Sequence, residues 1–335
     1  MKISFIAEND WANILTEYSH CINKHSKDIQ SKSICYRPHG FKYSIQHDYD
    51  LEKGIEEQRL EAKKWVEDSD LIIFGEEGHP LEFTYRTLRE FSNLLGMDII
   101  NSNKKLCIWH PGTHYRENFH FYNNHPQRHK IHKHLYAMDL YRLSPKLNND
   151  TPLHTYQYCD FNYDKFILDF KTKLDIKPWV ILHIPSNIDK KGTKHFRKVI
   201  SQLNLDPKDI VYKELSKISN PIAMEEKKKS IFYLDQFNSA GSYGVAAVES
   251  LFNSNFTFSV VHNLLESIPK LTGDNFTPIV PLEYDVSKLK PTLETFILNV
   301  TQDQLLEYMR GIGKVLEKWY KPENIIQTFK NLLDE

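Results

Sequence analysis

The stretch HIPSNIDKKGT, residues 183–193, follows an apolar run, WVILHI at 179–184. The run predicts a buried strand, and the segment from 192 to 203 has the apolar spacing of a helix. A loop between the carboxyl end of a strand and a helix N-terminus presents unpaired backbone N–H groups and a partial positive charge. Lys190 and Lys191 bring two full charges to this loop. Alone, the stretch predicts either an anion site or two surface lysines on an ordinary loop.

A second stretch, DQFNSAGSYGVAAVES at 235–250, repeats this arrangement between a predicted strand at 230–234 and a predicted helix at 244–252. Gly241 and Gly244 allow a backbone to approach a phosphate closely, and Glu249 lies about one turn inside the helix, where a carboxylate can accept hydrogen bonds from two ribose hydroxyls. Two such loops in one domain indicate a nucleoside diphosphate site. We assign to it Ser186, Asn187, Lys190, Lys191, Gly192, Asp235, Gln236, Gly241, Ser242, Tyr243, Gly244, Val245 and Glu249.

Strands and helices alternate along the rest of the chain. In the first half, apolar runs at 2–7, 71–74 and 106–109 are interleaved with helical patterns at 11–25, 52–66 and 80–95. This order predicts α/β domains with parallel sheets that are covered on both faces. We predict a first domain at 1–150, a linker at 151–178, a second domain at 179–300, and C-terminal helices at 301–335.

Composition excludes several classes of protein. The chain has 335 residues, of which 40% are hydrophobic, so it can bury a core and is not disordered. Its 43 basic and 44 acidic residues give a net charge of −1, which confines any anion site to local loops. The four cysteines have no CxxC spacing and predict no disulfide framework. With no leader and no run of about 18 apolar residues, we expect a cytoplasmic protein without a transmembrane segment.

The two loop motifs, His-x-Pro-Ser-x3-Lys-Lys-Gly-Thr and Leu-Asp-Gln-x3-Ala-Gly-x-Tyr-Gly-x3-Val-Glu, resemble the donor-binding domain of GT-B glycosyltransferases of the group 1/family 4 kind. The resemblance covers residues 179–261 closely and the first domain loosely. It implies two Rossmann-like domains whose parallel sheets face a central cleft, with C-terminal helices returning to the first domain. It also implies transfer of a sugar from a nucleotide-diphosphate donor to a hydroxyl acceptor, with retention of configuration and without a metal or other cofactor.

By position, the resemblance implies that Lys191 neutralises the donor diphosphate and that Asn187 or Lys190 stands near a second basic position. Glu249 matches the second acid of the Glu-x7-Glu motif of this family. Gly241 occupies the position of the first acid, which lies near the transferred sugar in the family. Asp235 and Gln236 are candidates to supply polar contacts in its place.

In the first domain, two segments resemble the acceptor-side loops of this family: Asp10–Asn13, and Trp109–Arg116 after a predicted strand. The candidate acceptor-binding residues are Trp11, Asn13, Gly112, Thr113 and Arg116. An inverting reaction needs a base within hydrogen-bond reach of the acceptor hydroxyl. The candidates for this catalytic role are Asp10, His79 and His110, each of which we expect at the carboxyl end of a strand.

Several alternatives stay open at this point. Seven histidines fall between His110 and His134 among basic and aromatic residues. This segment fits a histidine-rich surface loop, or a zinc site. It also fits a contact surface for an anionic acceptor, such as a phosphorylated lipid, an acidic glycan or DNA. A DNA-modifying glycosyltransferase of viral type and a catalytically inactive nucleotide-sugar-binding protein are the two alternative functions. The charge run Glu225–Lys229 is interpreted as a solvated helix end.

Overall fold

A computed structural model describes residues 1–38, 40–75, 85–110, 120–122, 124–137, 150–153, 161–239, 241 and 243–334. The strands are Lys2–Ala7 (β1), Gln30–Cys35 (β2), Tyr49–Asp50 (β3), Leu71–Gly75 (β4), Lys105–His110 (β5), Lys133–Ala137 (β6), Asp150–Leu153 (β7), Trp179–His183 (β8), Ile210–Glu214 (β9), Phe232–Gln236 (β10), Phe256–Ser259 (β11) and Val280–Pro281 (β12). The helices are Ile14–His25 (α1), Glu56–Asp68 (α2), Arg86–Leu95 (α3), Tyr163–Leu174 (α4), Thr193–Ile200 (α5), Asn220–Lys229 (α6), Val245–Phe252 (α7), His262–Thr272 (α8), Val286–Ile297 (α9), Gln302–Trp319 (α10) and Pro322–Asp334 (α11).

The chain forms two compact units. The first consists of residues 1–159 and 320–335, and the second of residues 160–319. None of the helices in the described part of the chain is both long and apolar enough to span a bilayer.

The first unit is built on a parallel sheet with the strand order β3-β2-β1-β4-β5-β6-β7. Apolar runs such as Leu71–Phe74 are buried throughout because helices cover the sheet. The strand order reverses between β1 and β4. In an open α/β sheet, the carboxyl ends of the strands at such a reversal form a crevice for ligands.

The last helix of the chain completes the core of this unit. On α11, the Phe329 ring contacts the ring of Phe5 on β1 with centroids 5.4 Å apart, and the ring of Tyr18 on α1 at 5.7 Å. All three side chains are buried. The Lys330 ammonium also reaches the Asp28 carboxylate at 3.1 Å. Unit 1 is therefore assembled from both ends of the chain.

The second unit is built on a parallel sheet with the order β12-β11-β10-β8-β9. Its order reverses between β8 and β10, which are the strands that precede the two loops singled out in the sequence. The carboxyl ends of these strands, and therefore the two loops, lie side by side at the reversal. Fold and motif thus point to the same edge of the sheet.

The boundaries of the units differ from the sequence-based ones. The segment 151–178, which we predicted to be a linker, contains α4, a helix that buries Phe166 and Phe170 in the second unit. Of the two C-terminal helices, α10 belongs to the second unit and only α11 to the first. On α10, a Cβ atom at Gly313 would lie 2.9 Å from the Tyr163 ring of α4, so a residue without a side chain is needed where these helices meet.

Candidate functional site

The two loops of the second unit are joined through their backbones. The Phe237 N–H donates to the carbonyl of Lys191 at 3.0 Å, and the Asn238 side-chain amide donates to the carbonyl of Lys190 at 2.7 Å. Gly192 makes this approach possible. Its φ is +68°, and a Cβ atom there would lie 2.1 Å from the carbonyl oxygen of Phe237. Only glycine fits a position with this backbone angle and this contact.

Lys191 is the centre of the site. Its ammonium donates to Asp235 Oδ1 at 2.8 Å and to Gln236 Oε1 at 3.0 Å, and 14% of the side chain is exposed. Asp235 is buried, and its other oxygen accepts from the Gly244 N–H at 3.3 Å and the Ser259 hydroxyl at 3.2 Å. Asp235 therefore fixes the lysine beside the start of α7. The predicted polar residues Asp235 and Gln236 hold Lys191 in place.

Gly244 brings the N-terminus of α7 to the lysine. A Cβ atom at this residue would lie 3.3 Å from Lys191 Nζ, so the absence of a side chain leaves the first turn of α7 next to the ammonium. The first N–H groups of a helix have no partner within the helix. A full positive charge and the positive end of a helix dipole thus converge, which is an arrangement that suits a phosphate group.

Gly241 has a local explanation in the structure. Its φ is +65°, and a Cβ atom there would lie 2.3 Å from the imidazole of His262, the first residue of α8. A glutamate at position 241 would need both a left-handed backbone and displacement of the His262 ring. At position 241, the space that a larger side chain would take is therefore filled by the His262 ring.

Glu249 lies in a buried ion pair. Its Oε2 accepts from the Lys227 ammonium at 2.5 Å and its Oε1 from the Asn220 amide at 2.7 Å. Lys227 is 1% exposed and also donates to the carbonyl of Ala246 at 3.0 Å. The interpretation of the run Glu225–Lys229 as a fully solvated helix end is therefore wrong at Lys227. Glu249 joins α6 to α7, whatever else it contacts.

Other predicted donor-site residues occupy the loop surfaces. Ser186, Asn187 and Lys190 are exposed, and Asn187 Oδ1 accepts from the Lys190 N–H at 2.9 Å, which shapes the first loop. Tyr243 and Val245 are half-buried beside Gly244. Ser242 lies outside the described residues.

Sequence reasoning missed the role of His183, the first residue of the opening motif. It is fully buried, its Nδ1 is 2.6 Å from the Leu234 carbonyl, and its Nε2 is 2.9 Å from the Thr193 hydroxyl. Since the carbonyl can only accept, Nδ1 carries the proton and Nε2 accepts from Thr193. His183 therefore joins β8, β10 and α5 beneath the two loops. Its place inside an apolar run was the available signal.

In the first unit, Asp10 stands just after β1 at the reversal of the strand order. It is buried, and its carboxylate accepts from the backbone N–H groups of Leu15 at 3.0 Å and Thr16 at 2.9 Å, so that it caps the start of α1. Burial raises the pKa of Asp10, whereas His47 and these hydrogen bonds act in the opposite direction. Asn13 is buried nearby and donates to the carbonyl of Ile45 at 2.9 Å.

His110 is fully buried at the end of β5. Its Nε2 is 2.7 Å from His134 Nδ1, and the guanidinium of Arg128 hydrogen-bonds to His134 Nε2. Because Arg128 can only donate, His134 must donate onward to His110 Nε2. His110, one of the candidate bases, thus already uses its Nε2 as an acceptor within the protein. The remaining candidates His79, Gly112, Thr113 and Arg116, and the side chain of Trp11, lie outside the described residues.

The hydrogen bonds that link Arg128, His134 and His110 predict that the first unit becomes less stable in acid. Burial, and next the Arg128 charge, lowers the pKa of His134 from 6.5 to about 3. Between these values the unfolded chain binds more protons, so we expect the free energy of unfolding to fall by about 1.4 kcal/mol per pH unit below pH 6.5. Hydrogen exchange of the amides in β5 and β6, compared at pH 7 and pH 4.5, measures this change in the free energy of unfolding. His134→Gln should flatten this dependence, and equal slopes in both proteins would contradict the assignment.

Among the described residues, no group of three or more His, Cys, Asp or Glu side chains is arranged to hold a metal ion. At its strand reversal, the second unit brings Lys191, Asp235, Gln236 and Gly244 together in a polar cluster.

Comparison with solved structures identifies the fold. The chain superposes on an alpha-glucosyltransferase in complex with UDP and a 13-mer DNA, with a TM-score of 0.62, 12% identity, and coverage of 100% of this chain and 99% of the other. A glycosyltransferase from Rickettsia africae superposes with a TM-score of 0.61 and 10% identity, over 99% of this chain and 97% of the other. HepE from Anabaena in complex with UDP superposes with a TM-score of 0.58 and 12% identity, over 100% of both chains. The sequence matches no protein-family model and no curated protein.

At these identities the comparisons establish the fold. The chain has the GT-B fold, with two Rossmann-like units that each contain a parallel sheet, and the prediction of this fold from the loop motifs is confirmed.

Proposed function

We propose that the protein is a glycosyltransferase that moves a sugar, a hexose in the first instance, from a nucleotide-diphosphate donor to a hydroxyl acceptor. The observation that carries this proposal is the Lys191 ammonium, fixed by Asp235 between two loops at the strand reversal of the second unit. Of its three N–H groups, two donate to Asp235 and Gln236, which leaves one for a phosphate oxygen.

The same cluster supplies what the leaving group needs. When the bond to the sugar breaks, negative charge develops on the diphosphate, and fixed positive groups stabilise it. Lys191 and the N-terminus of α7 provide this charge without a metal ion, so we propose a metal-independent reaction. Glu249 keeps lone pairs on both oxygens and is the proposed ribose contact. UDP complexes of two proteins with this fold make UDP-sugars the first donors to test.

The acceptor is proposed to bind the first unit, near Asp10 and Asn13 at the strand reversal, and the protein is proposed to work in the cytoplasm. The experiment that tests the function measures thermal stabilisation and donor turnover with UDP-, GDP-, ADP- and TDP-sugars, with and without EDTA. We expect at least one donor to bind and to be hydrolysed slowly, at the same rate in EDTA. Absence of hydrolysis for all of them would refute the glycosyltransferase proposal, and absence of binding as well would refute the donor site.

Replacing Lys191 tests the central residue. Lys191→Met alone leaves a buried, unpaired Asp235, so the variant is combined with Asp235→Asn to keep the unit folded. Loss of a charged hydrogen bond to phosphate is worth about 1.5–3 kcal/mol, so we expect the Kd for UDP to rise by roughly 10- to 150-fold. Isothermal titration calorimetry measures this change.

Lys194→Ala, which removes an exposed lysine from α5, is the matched control and should bind UDP like the wild type. Unchanged affinity in the double variant would show that the diphosphate binds elsewhere.

A DNA acceptor is the second candidate function, and one group of charges favours it. The guanidinium groups of Arg37 and Arg86 both contact Glu8 Oε1, at 3.1 and 2.9 Å, and 52% and 37% of these side chains are exposed. They stand after β2 and at the start of α3, where phosphate groups can reach them. Duplex binding that weakens steeply with salt supports this acceptor, and no binding at low salt excludes it.

A further inference from the structure

A relay of three side chains in the first unit ends at a residue that sequence reasoning passed over. The Thr16 hydroxyl lies 2.7 Å from Asp10 Oδ2 and 2.6 Å from His47 Nδ1. His47 precedes β3, Thr16 is on α1, and Asp10 follows β1. Their meeting depends on the order β3-β2-β1 in the sheet, and not on any spacing in the sequence.

The hydrogen bonds fix the direction of the relay. A hydroxyl has a single proton, and Asp10, which already accepts two backbone N–H groups, takes it as a third. Thr16 must then accept from His47, so the proton of the imidazole is on Nδ1. This assignment leaves a lone pair on His47 Nε2, the form that a general base requires.

The position of Nε2 agrees with that role. The His47 side chain keeps 8% of its surface exposed. Among the described residues, several polar atoms are fully buried without a hydrogen-bond partner, and His47 Nε2 does not belong to this group. The hydrogen bond of the His47 ring is the one between Nδ1 and Thr16, and no described residue hydrogen-bonds to Nε2. Burial lowers the pKa of His47, while Asp10 first, and then Asp50 and Asp48, act to raise it. The last two are themselves paired, with Lys53 at 3.1 Å and Lys32 at 2.7 Å.

The backbone around the relay is strained and held in place. Ala12 and Asn13 are consecutive residues with φ of 56° and 60°, a left-handed conformation that costs about 1–2 kcal/mol for each residue with a side chain. The Asn13 amide ties this turn to the Ile45 carbonyl, two residues before His47. Strain that the surrounding structure maintains is typical of positions that orient functional groups.

We propose that His47 is the catalytic base that takes the proton of the acceptor hydroxyl, with Thr16 and Asp10 as positioning residues. This inference rests on the proposed glycosyltransferase function. The acceptor oxygen bonds to the anomeric carbon, the bond from that carbon to the diphosphate breaks, and its electron pair leaves with the nucleoside diphosphate. The acceptor proton passes to His47 Nε2, and Asp10 stabilises the imidazolium through Thr16. Such a base favours inversion, in place of the retention that the family resemblance implies.

The test uses the full chain and UDP-glucose, or whichever sugar nucleotide the donor screen selects, with water as the nucleophile. His47→Gln should lower kcat for release of the nucleoside diphosphate by roughly 100- to 1,000-fold, with an unchanged Kd for UDP. His20→Gln, at an exposed position on α1, is the control and should keep the wild-type rate. The first-formed anomer of the released sugar, read by NMR before mutarotation, should be inverted.

Two variants of Thr16 distinguish a role in positioning His47 from a purely structural role. Thr16→Ser keeps the hydroxyl and should keep the rate, whereas Thr16→Val should lower kcat by roughly tenfold and move the acid limb of the pH–rate profile to lower pH. This direction follows because the imidazolium loses its link to Asp10. Independently, ¹⁵N NMR of the wild type should show His47 protonated on Nδ1.

The outcomes are distinguishable. A His47→Gln protein that turns over at the wild-type rate, or a His47 protonated on Nε2, overturns the base while leaving the glycosyltransferase intact. A folded wild type that binds UDP but turns over no donor overturns both. A wild type that binds no nucleotide at all refutes the proposed function at its donor site.

Discussion

Replacing Glu249 with alanine is expected to destabilise the second unit by about 3–5 kcal/mol, because it leaves the Lys227 ammonium buried without a counter-charge. The pair is almost sealed, with side-chain exposures of 2% for Lys227 and 5% for Glu249. The Asn220 amide would lose its acceptor as well. Urea unfolding gives the magnitude, and hydrogen exchange of amides in α6 and α7 shows where the loss occurs.

Two variants sharpen this prediction. Glu283→Ala removes an exposed carboxylate from the same unit and should change the free energy of unfolding by less than about 0.5 kcal/mol. The apolar pair Lys227→Met with Glu249→Leu should recover most of the loss, because packed hydrophobic residues often replace a buried ion pair at little cost. A Glu249→Ala protein as stable as the wild type would show that Lys227 finds other partners.

The same pair bears on the donor site. Loss of activity in Glu249→Ala cannot by itself establish a ribose contact, because the α6–α7 packing is damaged at the same time. The apolar double variant separates the two effects. If Glu249 binds ribose hydroxyls, this variant stays folded and binds UDP more weakly than the wild type.

Gly192→Ala is expected to disrupt the loop that carries Lys191. The new Cβ atom would lie 2.1 Å from the Phe237 carbonyl oxygen, and the backbone angle of +68° adds its own cost. We expect a loss of stability of about 3 kcal/mol or more, since a left-handed alanine costs about 1–2 kcal/mol and overpacking about 1–3 kcal/mol. Because relief of the clash separates the two loops, the Kd for UDP should rise at least tenfold.

Gly273 provides the matched control. It belongs to the same unit and has φ of +73°, but a Cβ atom there would meet nothing within 4 Å. Gly273→Ala should therefore show only the conformational cost of about 1–2 kcal/mol and normal UDP binding. Thermal unfolding and calorimetry of the two variants measure the difference. If both behave alike, the contact between the loops does not determine the site.

The donor loops could be predicted from sequence because all of their signals are local. Gly192, Lys191 and Gly244 each stand where a strand ends or a helix begins, and the order of the strands then brings the two loops together. The burial of Lys227 is not local in this sense. It depends on Glu249, 22 residues further on, and the surrounding charges made the run around Lys227 look like a solvated surface.

The first unit was harder to predict for the same reason. Asp10 was found because it opens a helix, but its partner His47 lies in a loop without periodicity and meets it only through the sheet order. His110 looked like a base because it ends a strand, yet its acceptor atom is used by His134. Helix α4 was missed because Pro, Asn and Tyr residues before it resemble a linker.

The position of α11 in the first unit has a consequence for biosynthesis. Phe5 and Tyr18 are made early, but the ring of Phe329 that packs on them emerges from the ribosome only after the whole second unit has been synthesised. Throughout that interval, this apolar surface of the first unit has no covering helix. The first unit therefore reaches its final packing only after the second unit has been synthesised.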